Sequence, residues 1–261
     1  MGTTIVVIYM TKFGIYILNV AVDCQQSEIL ERAAGLTYRI LLAFFPFLIF
    51  LMLLLGTMDI DEGAILAELF FALPGDIAFL VEDFMAEIGG VSSAGLISTA
   101  LFFSVYNTSN GFRAVLRHLH SGNRGIVKQV GLSIGLMLLF SAMLIIMLGL
   151  LVFKQLLLWV IAFFVLVFLT AIIYALGTGL YMKEVLPGAV LTALAWVVVT
   201  LFFGFAVTTF TKYPVIYGSI AGVFILILWL NMVSVILLVG NLININLKEL
   251  YSKWNFGLSM P

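Results

Sequence analysis

The residues of this 261-residue chain that could do chemistry are few, and most are arginines, amides and hydroxyls set into long apolar runs. Arg39 follows Ala33-Ala34-Gly35-Leu36-Thr37-Tyr38, and Pro46 comes seven residues later. A second run ends in Ser104-Val105-Tyr106-Asn107-Thr108-Ser109-Asn110-Gly111-Phe112-Arg113, and a third carries Asn231, Ser234, Asn241, Asn244 and Asn246. A guanidinium surrounded by amides and hydroxyls can hold a phosphate or carboxylate by charge and hydrogen bonds. That is recognition, not bond making. The sequence offers no Ser/His/Asp grouping, no paired carboxylates within an apolar run, no HExxH, no phosphate-binding loop and no G-x-S-x-G. Two histidines and the single Cys24 give no set for a structural zinc and no internal disulfide. His118 and His120, two apart, would point to different helix faces, so neither a metal nor another cofactor is expected.

Composition says what must position these groups. The chain is 64% hydrophobic and 10% charged, with a mean hydropathy of +1.24. Soluble domains run near about 45–50% apolar and about 25% charged, so this is an integral membrane protein. A net charge of -1 excludes a strongly basic nucleic-acid binder. A membrane helix needs about 20 mostly apolar residues, and six stretches qualify, near 34–57, 90–111, 129–152, 156–180, 187–210 and 215–245. The expected fold is an all-α bundle of six transmembrane helices in one membrane domain over residues 1–261.

Basic residues near helix ends stay in the cytoplasm. With both termini inside, Lys12, Arg32, Arg39, Arg113, Arg117, Arg124, Lys128, Lys183, Lys248 and Lys253 fall on the inner side, and Lys154 and Lys212 outside. Ten against two supports cytoplasmic termini. Residues 58–89 form an acidic extracytoplasmic segment with eight of the thirteen acids and no Lys or Arg. Apolar residues at helical spacing, among them Ile77, Leu80, Phe84 and Ile88, suggest short amphipathic helices there. Residues 4–30 read as an interfacial helix on the inner leaflet, because Thr4, Thr11, Lys12, Asn19, Asp23 and Gln26 share one face. A seventh span over 4–22 is the alternative.

Polar groups inside a bilayer are costly, and a charged one is a functional candidate. Arg39 either snorkels to the headgroups or faces a polar cavity open to the cytoplasm. Asn107 and Ser104 lie deeper than the terminal run from Asn110 to His120, which reads as a helix end followed by a basic loop. Asn231 either bonds to another helix or faces a substrate. Pro46 will kink its helix, for packing or for gating. Gly131-xxx-Gly135, Gly218-xxx-Gly222 and Gly188 with Thr192 read as places of close helix approach.

Several strings, taken together and in order, resemble the YihY/BrkB family of bacterial inner-membrane proteins. They are Ala33-Ala34-Gly35-Leu36-Thr37-Tyr38 with Phe45-Pro46, Leu186-Pro187-Gly188-Ala189, Tyr217-Gly218-Ser219-Ile220-Ala221-Gly222, Leu228-Trp229-Leu230, and Leu237-Leu238-Val239-Gly240 with Asn244. The resemblance implies six spans, a cytoplasmic N-terminal segment, residence in the bacterial cytoplasmic membrane and a role suspected to be transport, with lipid export or serum resistance attached to some members. A ribonuclease label also attaches to the family, and the residues do not support it, since neither metal-holding carboxylates nor an acid/base pair is present at the inner face. The closing Gly-Ala-Glu-x-Asn string of the family departs here, with Leu242 where the Glu would stand.

The reading that follows is a transporter, not an enzyme, moving a lipid or other amphiphile past Arg39, Tyr38, Asn107 and Asn231, with Pro46 as the gating position. Membrane lipids are the expected partners, nucleic acid is not, and assembly with further copies of the chain is left open. The alternatives are a scaffold or regulator of envelope machinery acting through the acidic segment, and a small-solute or ion channel.

Overall fold

The computed structural model describes residues 16, 19–56, 94–119, 125–149, 155–210 and 219–255. Among these are six long helices and no strand: α1 (Ile29–Gly56), α2 (Ala94–Leu119), α3 (Ile126–Gly149), α4 (Gln155–Thr178), α5 (Met182–Phe210) and α6 (Ser219–Asn255). Five of them, α1, α3, α4, α5 and α6, are long and apolar enough to cross a membrane. α2 occupies the place of the expected second span but is not among the five, because its second half carries Ser104, Asn107, Thr108, Ser109, Asn110, Arg113 and Arg117. The acidic segment 58–89 and most of residues 4–18 lie outside the described residues.

Local chemistry sets the helix ends. A short helix over 19–26 turns at Ser27–Glu28, where Glu28 has a φ of 49°, and α1 starts at the next residue. A side chain in the left-handed region costs about 1–2 kcal/mol, so this sharp break is imposed by the packing on both sides of it. α4 ends at Gly179, whose φ of 76° only glycine adopts freely; the Thr178 hydroxyl accepts from Leu180 N at 3.2 Å, and Gly179 N donates to Ala175 O. At the start of α5 the Glu184 carboxylate accepts from Tyr181 N at 2.8 Å, half of a capping box.

Several boundaries differ from the periodicity. α2 continues to Leu119, so Arg113, Arg117 and His118 belong to its last turns and not to a loop. The polar residues there keep to helical spacing, which is why the helix persists where its apolar run stops. α5 begins before Pro187, which sits within the helix. α6 reaches 37 residues, about 55 Å at 1.5 Å per residue, so its last turns extend past a core of about 30 Å.

Each helix packs on the next, α6 packs back on α1, and α2 also meets α4, so the bundle is a closed ring. The outer surface is apolar, with Phe102 77% exposed and Leu201 68%, whereas the buried positions add polar residues such as Ser104, Ser133 and Asn244, all 0%, to the aliphatic ones. Water would not tolerate that surface, and lipid favours it, because small and polar residues let helices approach and bond. The largest buried cluster joins Ala33 and Leu36 of α1, Ala114 of α2, Leu136 of α3, Tyr174 of α4, Ala189 of α5 and Leu237 of α6.

Glycines decide four contacts among the described residues, one of them Gly177 of α4, where a Cβ would lie 2.7 Å from Leu119 Cβ of α2. A Cβ at Gly111 would lie 2.5 Å from Ala43 Cβ, so at that point α2 packs directly on the Ala43 methyl of α1. A Cβ at Gly188 would strike Gly240 O and the Asn244 amide, and one at Gly240 would strike the Thr192 hydroxyl and come within 2.5 Å of the Tyr174 hydroxyl. The expectation for Gly188 and Thr192 therefore holds. Gly131 and Gly135 do not behave as expected: a Cβ at either meets nothing, because that face of α3 is turned away from the ring. Gly218 lies outside the described residues.

Gly240→Ala should lower stability in detergent by about 1–3 kcal/mol through overpacking, while Gly135→Ala, facing open space, should leave it unchanged; thermal unfolding of the two variants side by side checks this.

Candidate functional site

α1 carries the polar residues that matter on two different seams. Toward α6, the Thr37 hydroxyl lies 2.7 Å from Ala33 O and 3.0 Å from the Ser234 hydroxyl. Having one hydrogen, it donates to one of them at a time. Asn231 Nδ2 donates to Thr37 Oγ1 over a long 3.4 Å, and the Ser234 hydroxyl reaches Leu230 O at 2.8 Å. Thr37 and Ser234 are both buried. Asn231, half-buried, is thus joined to α1 one residue before Tyr38.

Toward α2, the exposed Arg39 sits where α1 meets Gly111, and its charge and that of Arg113 both act on Arg117. The Arg117 guanidinium is held below its ordinary pKa, first by partial burial, then by the positive charges of Arg39 and Arg113. Arg113 Nη2 donates to Asn110 Oδ1 at 2.6 Å, and its Nε is buried with no partner. Among the described residues no carboxylate pairs with any of the three; the ion pair the structure does show joins Lys248 and Glu184 at 3.7 Å, on α6 and α5. Three like charges at one seam repel one another, and an anion would relieve that.

The other candidates are placed as follows. Tyr38 is 62% exposed on the outer surface of α1. Asn107 Nδ2 donates to Phe103 O of its own helix at 2.9 Å. Pro46 is buried, and α1 runs through it as one helix. Arg39 and Tyr38 therefore sit at or beside the α1/α2 seam, Asn231 at the α1/α6 seam, and Asn107 bonds within α2.

Sequence reasoning passed over a buried polar contact that joins three helices. Tyr174 of α4 is fully buried; its hydroxyl donates to Leu237 O of α6 at 2.8 Å and lies 2.6 Å from Thr192 Oγ1 of α5, which must then be the donor to it. Two turns along α6, Asn244 Oδ1 accepts from Gly188 N at 2.7 Å. Ser109 of α2 and Ser133 of α3 share a bond of 2.9 Å. A phenol in the middle of an otherwise aliphatic run was the available signal for Tyr174, since a buried tyrosine hydroxyl needs a partner. Among the described residues no three His, Cys, Asp or Glu side chains gather where they could hold a metal ion.

The sequence profile of the family described as "Virulence factor BrkB" matches residues 20–254. The chain is also 25% identical over 244 residues to a protein of Bacillus subtilis (strain 168) named "Putative ribonuclease-like protein YfkH", a match that covers 82% of this chain and 88% of that protein. No solved structure matches the chain. The profile runs from the short helix before α1 to the last turns of α6 and so takes in every seam described above: the chain belongs to the BrkB family of membrane proteins.

Proposed function

We propose that the chain is a multi-pass transporter of the bacterial cytoplasmic membrane, with both termini inside, that moves an anionic lipid or lipid-linked amphiphile along the α1/α2 seam. The observation that carries the reading is Arg117 with the charges of Arg39 and Arg113 acting on it, three cations with no carboxylate paired to them among the described residues. A phosphate is the natural counter-charge for such a group, and arginine binds it with a planar fork of donors. The two helices present an apolar outer surface that suits lipid: Tyr38 of α1 and Phe102, Phe103 and Tyr106 of α2 are all exposed. An acyl chain can then stay in the bilayer while its headgroup follows the seam.

In this reading Arg39 takes the headgroup phosphate, Arg113 and Arg117 keep the approach positive, and Tyr38 flanks it at headgroup depth. Asn107 is the neutral polar residue further along α2, while Asn231 lies off this path at the α1/α6 seam. Pro46 is the gate, because a proline removes one backbone donor and weakens the helix at that turn. The α2 helix would be the sixth span, its polar half shielded by α1 and α3.

The relative's ribonuclease-like name suggests another activity, but phosphodiester hydrolysis needs an acid/base pair or metal-holding carboxylates. The sequence has no such grouping within its spans. Transport without bond breaking asks only for the groups that are present.

In liposomes with labelled phosphatidylglycerol, the protein should speed movement between leaflets over protein-free vesicles. Arg39→Gln should slow that movement at least about tenfold, the loss of one charge-assisted contact, with an unchanged melting temperature, and Arg39→Lys should fall between. Full flux in Arg39→Gln would sink the assignment of this seam.

Orientation has its own test in the single cysteine. Cys24 has its thiol pKa raised, first by partial burial and then by Asp23, so the reactive thiolate is scarce at neutral pH and grows as pH rises toward that pKa. A membrane-impermeant maleimide should label Cys24 in inverted membrane vesicles faster at pH 8.5 than at pH 7, and should leave it unlabelled in intact cells. Labelling of intact cells would place the N-terminal segment outside.

A further inference from the structure

Of the six long helices described, α2 alone falls outside the five apolar enough to span, and the polar residues responsible are not all turned inward. Thr99, Phe103, Tyr106, Asn110, Arg113 and Arg117 recur at alternating steps of four and three, which puts them on one face of α2. Gly111, which meets Ala43 of α1, and Ser109, which bonds to Ser133 of α3, lie to either side of that face. The stripe therefore points away from the bundle: Thr99, Phe103, Tyr106 and Arg117 are exposed, and Asn110 and Arg113 are half-buried.

Five of these six residues are polar. A surface that meets only acyl chains has the opposite composition, because a hydroxyl, amide or charge in hydrocarbon is costly. The outer face of α5 shows the difference, with Leu194, Val198, Leu201 and Phe205 exposed. Length matters too. Eighteen residues separate Thr99 from Arg117, about 27 Å at 1.5 Å per residue, so the stripe runs nearly the full depth of a core of about 30 Å.

Its chemistry is one-sided. Arg113 Nη2 donates to Asn110 Oδ1 at 2.6 Å, so the Asn110 amide offers its nitrogen, a donor, to whatever lies alongside. The two guanidinium groups only donate, and the Tyr106 hydroxyl has a hydrogen to give. Among the described residues no carboxylate pairs with Arg113 or Arg117. Successive donors, with positive charge at one end, select a partner that is negative and only accepts, and a phosphodiester is both. We propose that this outward stripe of α2 is a track that lipid phosphates and their water occupy through the depth of the bilayer, with Asn110 and Tyr106 as the steps beyond the arginines. As an account of transport it rests on the reading above, to which it adds the helix face used and the group recognised: the phosphodiester shared by glycerophospholipids, whatever their headgroup.

The test attaches a bimane fluorophore at Phe103→Cys, which lies within the stripe and leaves its polar groups in place, with Cys24→Ser removing the native thiol. A second protein carries the label at Val198→Cys, on the exposed face of α5 and, like Phe103, sixteen residues from the inner end of its helix. Both full chains enter phosphatidylglycerol vesicles that contain phosphatidylcholine bearing a nitroxide either on the headgroup or at the end of an acyl chain. Headgroup nitroxides should quench the label at position 103 at least about threefold more than the label at 198, which at mid-depth lies about 15 Å from either headgroup layer. Asn110→Leu combined with Tyr106→Phe should remove that difference. The comparison of the two labels keeps the native polar residues, so it decides the matter even where the double substitution fails to fold. Equal headgroup quenching at both positions, quenching at 103 by neither nitroxide, as a covering protein would give, or a difference that survives the double substitution in a folded chain overturns the proposal. Movement of labelled phosphatidylglycerol in the same vesicles separates the two readings. Flux without headgroup quenching at 103 leaves transport on another path and ends this one, whereas quenching without flux supports the track and removes the transport reading.

Discussion

The bundle depends on one buried phenol. Tyr174 gives its hydrogen to the main-chain carbonyl of Leu237 and takes one from Thr192, so a single side chain of α4 fixes both α5 and α6. No hydrophobic force draws helices together in lipid, where the surroundings are as apolar as the helices, and contact must come from close packing and hydrogen bonds. Both operate here at one height. Gly240 leaves the space into which the Tyr174 and Thr192 hydroxyls fit, and Gly188 admits the carbonyl of Gly240 and the amide of Asn244. From α6 the connection passes through Ser234 to Thr37 of α1, and from α1 through Ala43 to Gly111 of α2.

Much of this architecture was legible because a bilayer imposes length and hydrophobicity on every element that crosses it. The stretches beginning near 34, 129, 156, 187 and 215 each coincide with an apolar helix of the structure. What escaped was where helices stop. Arg113 and Arg117 looked like loop charges because the apolar run had ended, yet i, i+4 spacing keeps them on one face of a helix that continues to Leu119. Gly131 and Gly135 looked like a helix contact because spacing shows that two glycines share a face, and cannot show which way the face turns. Tyr174 was hidden for a different reason: alone among aliphatic residues, it carries no pattern.

Arg39 stood out from its cost in an apolar run, and its neighbours did not, since Arg113 and Arg117 lie about seventy residues further along. The polar residues divide between two tasks. Those fully buried, such as Ser104, Ser133, Asn244 and Ser234, lie between helices, and bonds such as Ser109 to Ser133, Thr37 to Ser234 and Gly188 to Asn244 join one helix to another. The arginines keep their charge at the edge, where lipid and water can reach it. Asn241 belongs to neither group, being buried and yet unbonded at its oxygen.

The paired glycines also have a kinematic meaning. Sliding α5 along α6 by one turn, about 5.4 Å, would set Ile236 or Asn244 where Gly240 now faces Thr192, and neither side chain fits a space that has no room for a methyl group. The α5/α6 pair is thereby locked in register, with the Tyr174 hydroxyl of α4 tied to both. Any sliding of this bundle must be taken up elsewhere, and the α1/α2 pair meets α6 through the Thr37–Ser234 contact and the apolar packing of Leu48 against Leu226 and Leu230.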